Sequence, residues 1–129
     1  MCSLLFSTKK IENFEDVNFY LKFRGPDYTG TLSKNNHTFV HNLLSICGTY
    51  TPQPIEQDDI VILFNGEIYN YKEFGDYDND TKCLIPLYKQ YGPEFVKKLD
   101  GEYAIVIVDY RKNILFITSD LFKTKPLFY

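Results

Sequence analysis

The chain has 129 residues, 44% apolar and 24% charged, which suits one domain with a core that needs no disulfides and argues against wholesale disorder. Its 14 basic and 17 acidic side chains leave a net charge of −3 with no basic stripe, so a nucleic-acid partner is not expected. The longest apolar run, Tyr103 to Val108, falls short of the ~20 residues that span a bilayer. Leu4-Leu5-Phe6 is too short for a signal-peptide core and lacks a basic leader, so the expectation is a soluble, cytoplasmic protein away from membranes.

In chain order, Ser3 to Ser7 alternate weakly and predict a short first strand. Phe14, Val17, Phe19-Tyr20-Leu21 and Phe23 predict a helix within Ile11 to Phe23, stopped at Gly25-Pro26. Thr38-Phe39-Val40 and Leu43-Leu44-Ser45-Ile46 read as strand material, followed by a loop through Pro52 and Pro54. Ile60 to Phe64 and Glu67 to Tyr71 flank Asn65-Gly66, a dipeptide that predicts a hairpin with a tight turn. A helix is expected from about Thr81 to Gln90, with Asp80 as N-cap and Pro86 kinking it or delaying its start. A second short helix should begin at Pro93 and run to Leu99. Tyr103 to Val108 and Ile114 to Thr118 predict a hairpin around Arg111-Lys112-Asn113. With no repeats or linkers, residues 1–129 read as a single α+β domain in which strands outnumber helices.

Three cysteines, Cys2, Cys47 and Cys83, with no close pair, argue against a disulfide framework. His37 and His41 do not accompany a Cys pair, so no metal site is predicted, and Cys47 and Cys83 read as small core residues. Asp76, Asp78 and Asp80 alternate like a calcium loop, but the sixth and twelfth positions hold Thr81 and Leu87, which rejects calcium.

Cys2 carries a chemical option of its own. Once Met1 is removed it holds a thiol and an α-amino group, and an amine titrating near ~8 can take the thiol proton; the plain alternative is an incidental cysteine. Asn65 and Gly66 are either a turn or two donors, one side-chain amide and one backbone N–H, converging on a developing oxyanion. Arg24, one of two arginines, lies across the Gly25-Pro26 turn from Asp27, where a structural ion pair is the simplest expectation.

Taken in order, these segments resemble the class II glutamine amidotransferase domain, above all the N-terminal glutaminase domain of asparagine synthetases. Met1-Cys2-Ser3 resembles that family's start. Arg24-Gly25-Pro26-Asp27 resembles its RGPD segment, His41 to Ile46 its H-x-R-L-S-I, and Gln53-Pro54-Ile55 its Q-P motif. Asn65-Gly66-Glu67-Ile68-Tyr69-Asn70 matches NGEIYN, Asp80-Thr81-Lys82 stands for S-D-T-E, and Ser119-Asp120 to Tyr129 is similar to R-D-x-x-G-x-K-P-L-Y-Y. The resemblance implies an N-terminal-nucleophile (Ntn) hydrolase fold, an αββα sandwich of antiparallel sheets, here shortened at the C-terminus and without a synthetase domain. It implies that Cys2 is the nucleophile, that Asn65 and Gly66 hold the oxyanion, and that Glu67 and Asp80 bind the amino-acid end of glutamine while Arg24 braces the site. No cofactor is implied.

The arginine of H-x-R-L-S-I, implied to clamp the glutamine α-carboxylate, is Leu43 here. The segment between Tyr71 and Asp80 is short, and Ser119 and Lys123 replace the R and G of the late motif. Two readings follow: an amidase releasing ammonia from glutamine or a related small amide, serving a separate synthetase subunit or forming a homodimer, and a degenerate Ntn domain kept for binding or regulation.

Overall fold

Alternation of buried side chains along two central strands sets the layers. The computed structural model describes residues 1–129. Strands β1 (Ser3–Ser7), β2 (Tyr28–Lys34) and β3 (His37–Leu43) form one antiparallel sheet in the order β1-β3-β2. Strands β4 (Ile55–Gln57), β5 (Ile60–Ile68), β6 (Gly101–Asp109) and β7 (Ile114–Ser119) form a second, in sequence order. On β5 and β6 the set Val61, Leu63, Val106 and Val108 faces the first sheet and packs with Phe39. The other set, Ile60, Ile62, Phe64, Ile105 and Ile107, faces the opposite way and is covered by helix α2 (Leu84–Tyr91) and the 3₁₀ helix Gly92–Lys98 through Leu84, Tyr88 and Phe95. With both faces buried, these strands read as near-continuous apolar runs rather than as simple alternation.

Helix α1 (Phe14–Lys22) lies on the outer face of the first sheet, where polar contacts anchor it. Asn42 Nδ2 donates to Asn18 Oδ1 at 2.8 Å and Ser3 Oγ donates to the Leu21 carbonyl at 3.0 Å. The layers are thus helix, sheet, sheet, helix: the α+β sandwich the sequence leads one to expect. No helix is long and apolar enough to cross a membrane.

Three expectations need correction. Asn65-Gly66 is not a turn: both lie inside the nine-residue β5, paired with Ala104 and Tyr103. The glycine serves close approach, because a Cβ there would sit 2.0 Å from the Glu102 carbonyl oxygen. The chain reverses earlier, at Asp58-Asp59, whose φ values of 51° and 58° place both in the left-handed region used by tight hairpins. Likewise Leu44 to Ile46 are not a strand, and the partner of β3 is instead β2, unforeseen, joined to it through Asn35-Asn36 with φ 51° and 64°. The helix start also differs. Asn79, not Asp80, caps the 3₁₀ turn Asp80–Cys83 by accepting the Thr81 N–H at 2.9 Å, and α2 begins only at Leu84. Pro86 then falls in the first turn of α2, where its missing N–H costs nothing.

Candidate active site

Strand alternation aims the chemistry. Asn65 and Glu67 share the parity of Val61 and Leu63, so they face the first sheet just beyond the core. There they meet Cys2, which precedes β1, in a cleft also lined by Leu43, Leu44, Gly66, Asp80, Thr81, Glu102 and Lys125. Five of the six predicted site residues therefore converge: Cys2, Asn65, Gly66, Glu67 and Asp80. Arg24 does not line this cleft.

The Cys2 sulfur sits against one residue of the chain leaving β3. Leu44 N–H donates to Sγ at 3.3 Å, and the thiol reaches back to the Leu44 carbonyl at 3.6 Å. Burial pushes the Cys2 thiol up, the Leu44 N–H and the chain's terminal ammonium pull it down, and the charges of Asp80 and Asp27 push it up again; the balance is a raised pKa. A neutral thiol at rest needs a base to become a nucleophile.

Arg24 acts from outside. Its Nε donates to the Cys2 carbonyl at 3.2 Å and its Nη2 to the Met1 sulfur at 3.9 Å. The expected Arg24–Asp27 ion pair is not formed. Asp27 Oδ2 instead accepts the Ser45 N–H at 2.8 Å, while Asp27 N–H donates to the Leu43 carbonyl at 3.0 Å. The turn can lie this close because of Gly25, where a Cβ would come within 2.0 Å of the Asn42 carbonyl oxygen. Residues 24–27 thus brace both the Cys2 peptide and the segment that holds its sulfur.

The backbone of β5 beyond the end of β4 supplies donors. In an antiparallel ladder alternate residues turn their N–H and C=O away from a given neighbour. Phe64, Gly66 and Ile68 all turn theirs away from β6, toward an edge that β4 does not reach. Gln53 covers the first, accepting Phe64 N–H at 2.7 Å and donating to the Phe64 carbonyl at 3.0 Å. Asp80 Oδ2 covers the last, accepting Ile68 N–H at 2.9 Å. Gly66 N–H lies between them and is taken by neither, at the cleft wall beside Asn65.

Asp80 is nearly fully buried, which pushes its carboxyl up; N–H groups of Ile68 and Thr81 pull it down and the Glu67 charge pushes it up again, leaving it above the usual carboxylate range. Glu102 and Lys125 neutralise each other at 2.6 Å. Cys83 is a core residue whose thiol donates to the Asp80 carbonyl at 3.0 Å, but Cys47 is not: it is half-buried and lines the cleft. Reasoning from residues alone gave no role to Gln53, the Glu102–Lys125 pair or the Asn79 amide that donates to the Cys47 carbonyl, because these contacts span between 11 and 32 positions along the chain.

A two-sheet α+β sandwich with helices on its outer faces has the architecture of the Ntn-hydrolase class. Within that class the chain belongs to the glutamine amidotransferase domain family, whose model matches residues 1–129. Among curated relatives, it is 41% identical over 105 residues to a protein of Methanocaldococcus jannaschii named putative asparagine synthetase [glutamine-hydrolyzing] 1, covering 73% of this chain and 19% of that one. It is 32% identical over 125 residues to asparagine synthetase B [glutamine-hydrolyzing] of Escherichia coli, with 88% and 23% covered. For asparagine synthetase [glutamine-hydrolyzing] 1 of Bacillus subtilis the figures are 33% over 131 residues, with 92% and 21% covered. The chain therefore spans about a fifth of the length of these relatives.

Proposed function

We propose that the protein hydrolyses the side-chain amide of glutamine or a related small amide, with Cys2 as nucleophile once Met1 has been removed. The observation that carries this reading is the convergence of Cys2, Asn65 and the untaken Gly66 N–H on one cleft. The Cys2 α-amine takes the thiol proton as sulfur bonds to the amide carbon. Asn65 and Gly66 donate to the resulting oxyanion. The C–N bond then breaks, its nitrogen taking the proton from the ammonium, and ammonia leaves. Water attacks the thioester, gives a proton to the amine, and the C–S bond breaks with that proton returning to sulfur. Glu67 and Asp80 bind the substrate's ammonium group, and Arg24 positions the Cys2 peptide. The ammonia would pass to a separate synthetase subunit, and the domain, residues 1–129, works without a cofactor in the cytoplasm.

The test is intact mass before and after exposure to an electrophilic glutamine analogue. Loss of Met1 plus one adduct, absent in Cys2→Ala, is the expected result; labelling is irreversible, so weak binding still accumulates product. A retained Met1 would overturn the mechanism. A processed chain that stays unlabelled and releases no ammonia from any amide would favour a binding role instead, a reading to which buried Leu43 on the cleft wall lends support.

A further inference from the structure

Charge is unevenly supplied in the cleft. Two carboxylates, Glu67 and Asp80, line it with no cationic partner, and Asp80 is 3% exposed. The lining side chains include one cation, Lys125, which is 6% exposed and already neutralised by Glu102. Leu43 and Leu44 stand on the wall beside Cys2, with Leu43 6% exposed, and the other polar lining side chains, among them Thr49, Thr51 and Thr81, carry no charge. Asn65, 7% exposed, shares the cleft with them.

A ligand entering this space meets two kinds of surface. An ammonium group near Glu67 and Asp80 gains charge-assisted hydrogen bonds and relieves the repulsion between them. A carboxylate on the same carbon would sit within reach of two like charges, against a leucine and with no free cationic side chain to replace its water. Such a site rejects by repulsion as well as by absence of a partner.

We infer that the cleft selects glutamine whose α-carboxyl is already blocked as an amide: a primary side-chain amide with a free α-ammonium and no carboxylate beside it. Glutamine α-amide is the smallest such molecule, and a glutamine at the N-terminus of a peptide presents the same chemistry. This rests on the amide-hydrolase reading above, deepening it to a substrate class, with Leu43 as the residue that sets specificity.

Titration calorimetry with full-length Cys2→Ala separates the two questions. The ligands are L-glutamine, L-glutamine α-amide and a tripeptide beginning with glutamine, at pH 6.5, where α-amines titrating near ~8 remain charged. Ammonia release by the wild-type chain from the same three compounds is measured in parallel. The blocked compounds should bind at least about tenfold tighter than free glutamine, a difference of about 1.4 kcal/mol, and be hydrolysed in that order. Binding of the α-amide alone would assign the small-molecule source, and binding of both would extend the class to peptides. The same preference without ammonia release would sustain the recognition while ending the hydrolase reading. Free glutamine binding as tightly as its α-amide, or no binding of any of the three, would overturn the inference whatever the turnover. Leu43→Arg should narrow the preference at least tenfold if it folds; the wild-type comparison stands without it.

Discussion

His41 of β3 places its Nε2 3.0 Å from the carbonyl oxygen of Phe64 on β5, tying the two sheets together one residue before Asn65. A carbonyl only accepts, so Nε2 carries the proton and Nδ1, buried without a partner, is the bare nitrogen of a neutral ring. Gln53 donates to the same oxygen. The peptide that leads into Asn65 and Gly66 is thereby held by one side chain from the facing sheet and one from the loop before β4.

Burial, partly offset by that hydrogen bond, lowers the His41 pKa from 6.5 to about 4. Between these values the unfolded chain binds a proton that the folded chain refuses, so stability is present above pH 6.5 and is lost as pH falls toward 4. The loss between pH 7.5 and 5 should be about 2 kcal/mol. Urea unfolding at the two pH values measures it, and His41→Gln should flatten the dependence. An equally steep slope in the variant would assign the effect elsewhere.

Asn65→Ala addresses the oxyanion reading. Its side chain faces the cleft rather than the core, so the fold should survive, with an unfolding midpoint close to wild type. Removing one donor to a developing oxyanion should lower kcat about 10²–10³-fold, with little change in KM. A rise confined to KM would make Asn65 a substrate contact instead.

Gly66→Ala should act through the backbone. The new Cβ would lie 2.0 Å from the Glu102 carbonyl oxygen and 2.7 Å from the Tyr103 Cα, so β5 and β6 would have to part at the site. A loss of at least about 2–3 kcal/mol in denaturant unfolding is expected. Gly92→Ala is the control: its φ is 59° but nothing lies within 4 Å of the new Cβ, so only the left-handed strain of about 1 kcal/mol applies.

What the sequence disclosed follows from how local each signal is. The hairpin of β6 and β7 and helix α1 were legible because their patterns need no distant partner. Asn65-Gly66 misled because the dipeptide that favours a tight turn also suits a strand where two backbones nearly touch, and only the Glu102 carbonyl, 36 positions on, decides between them. Asp58-Asp59 made the turn instead without any glycine. The site residues emerged as a set because their order along the chain is distinctive. Their mutual geometry was not legible: Asp27 on Ser45 and Gln53 on Phe64 are contacts of tertiary structure that no spacing rule foresees.

Asp80 has two duties that substitution can separate. Its Oδ2 accepts the Ile68 N–H at 2.9 Å, closing the open edge of β5, while its charge stands beside Glu67 at the cleft. An asparagine carbonyl can still accept from Ile68, so Asp80→Asn should leave stability within about 1 kcal/mol of wild type. Removing the charge should weaken binding of an ammonium-bearing amide by at least about 1.5 kcal/mol, roughly tenfold, the scale of one charge-assisted hydrogen bond. Asp80→Ala removes both, leaves Ile68 N–H unsatisfied, and should cost about 1–3 kcal/mol of folding stability as well. Calorimetric affinity and urea midpoints measured on both variants check the division. If Asp80→Asn binds the amide as tightly as wild type, the ammonium is held by Glu67 alone, and Asp80 serves the edge of the sheet.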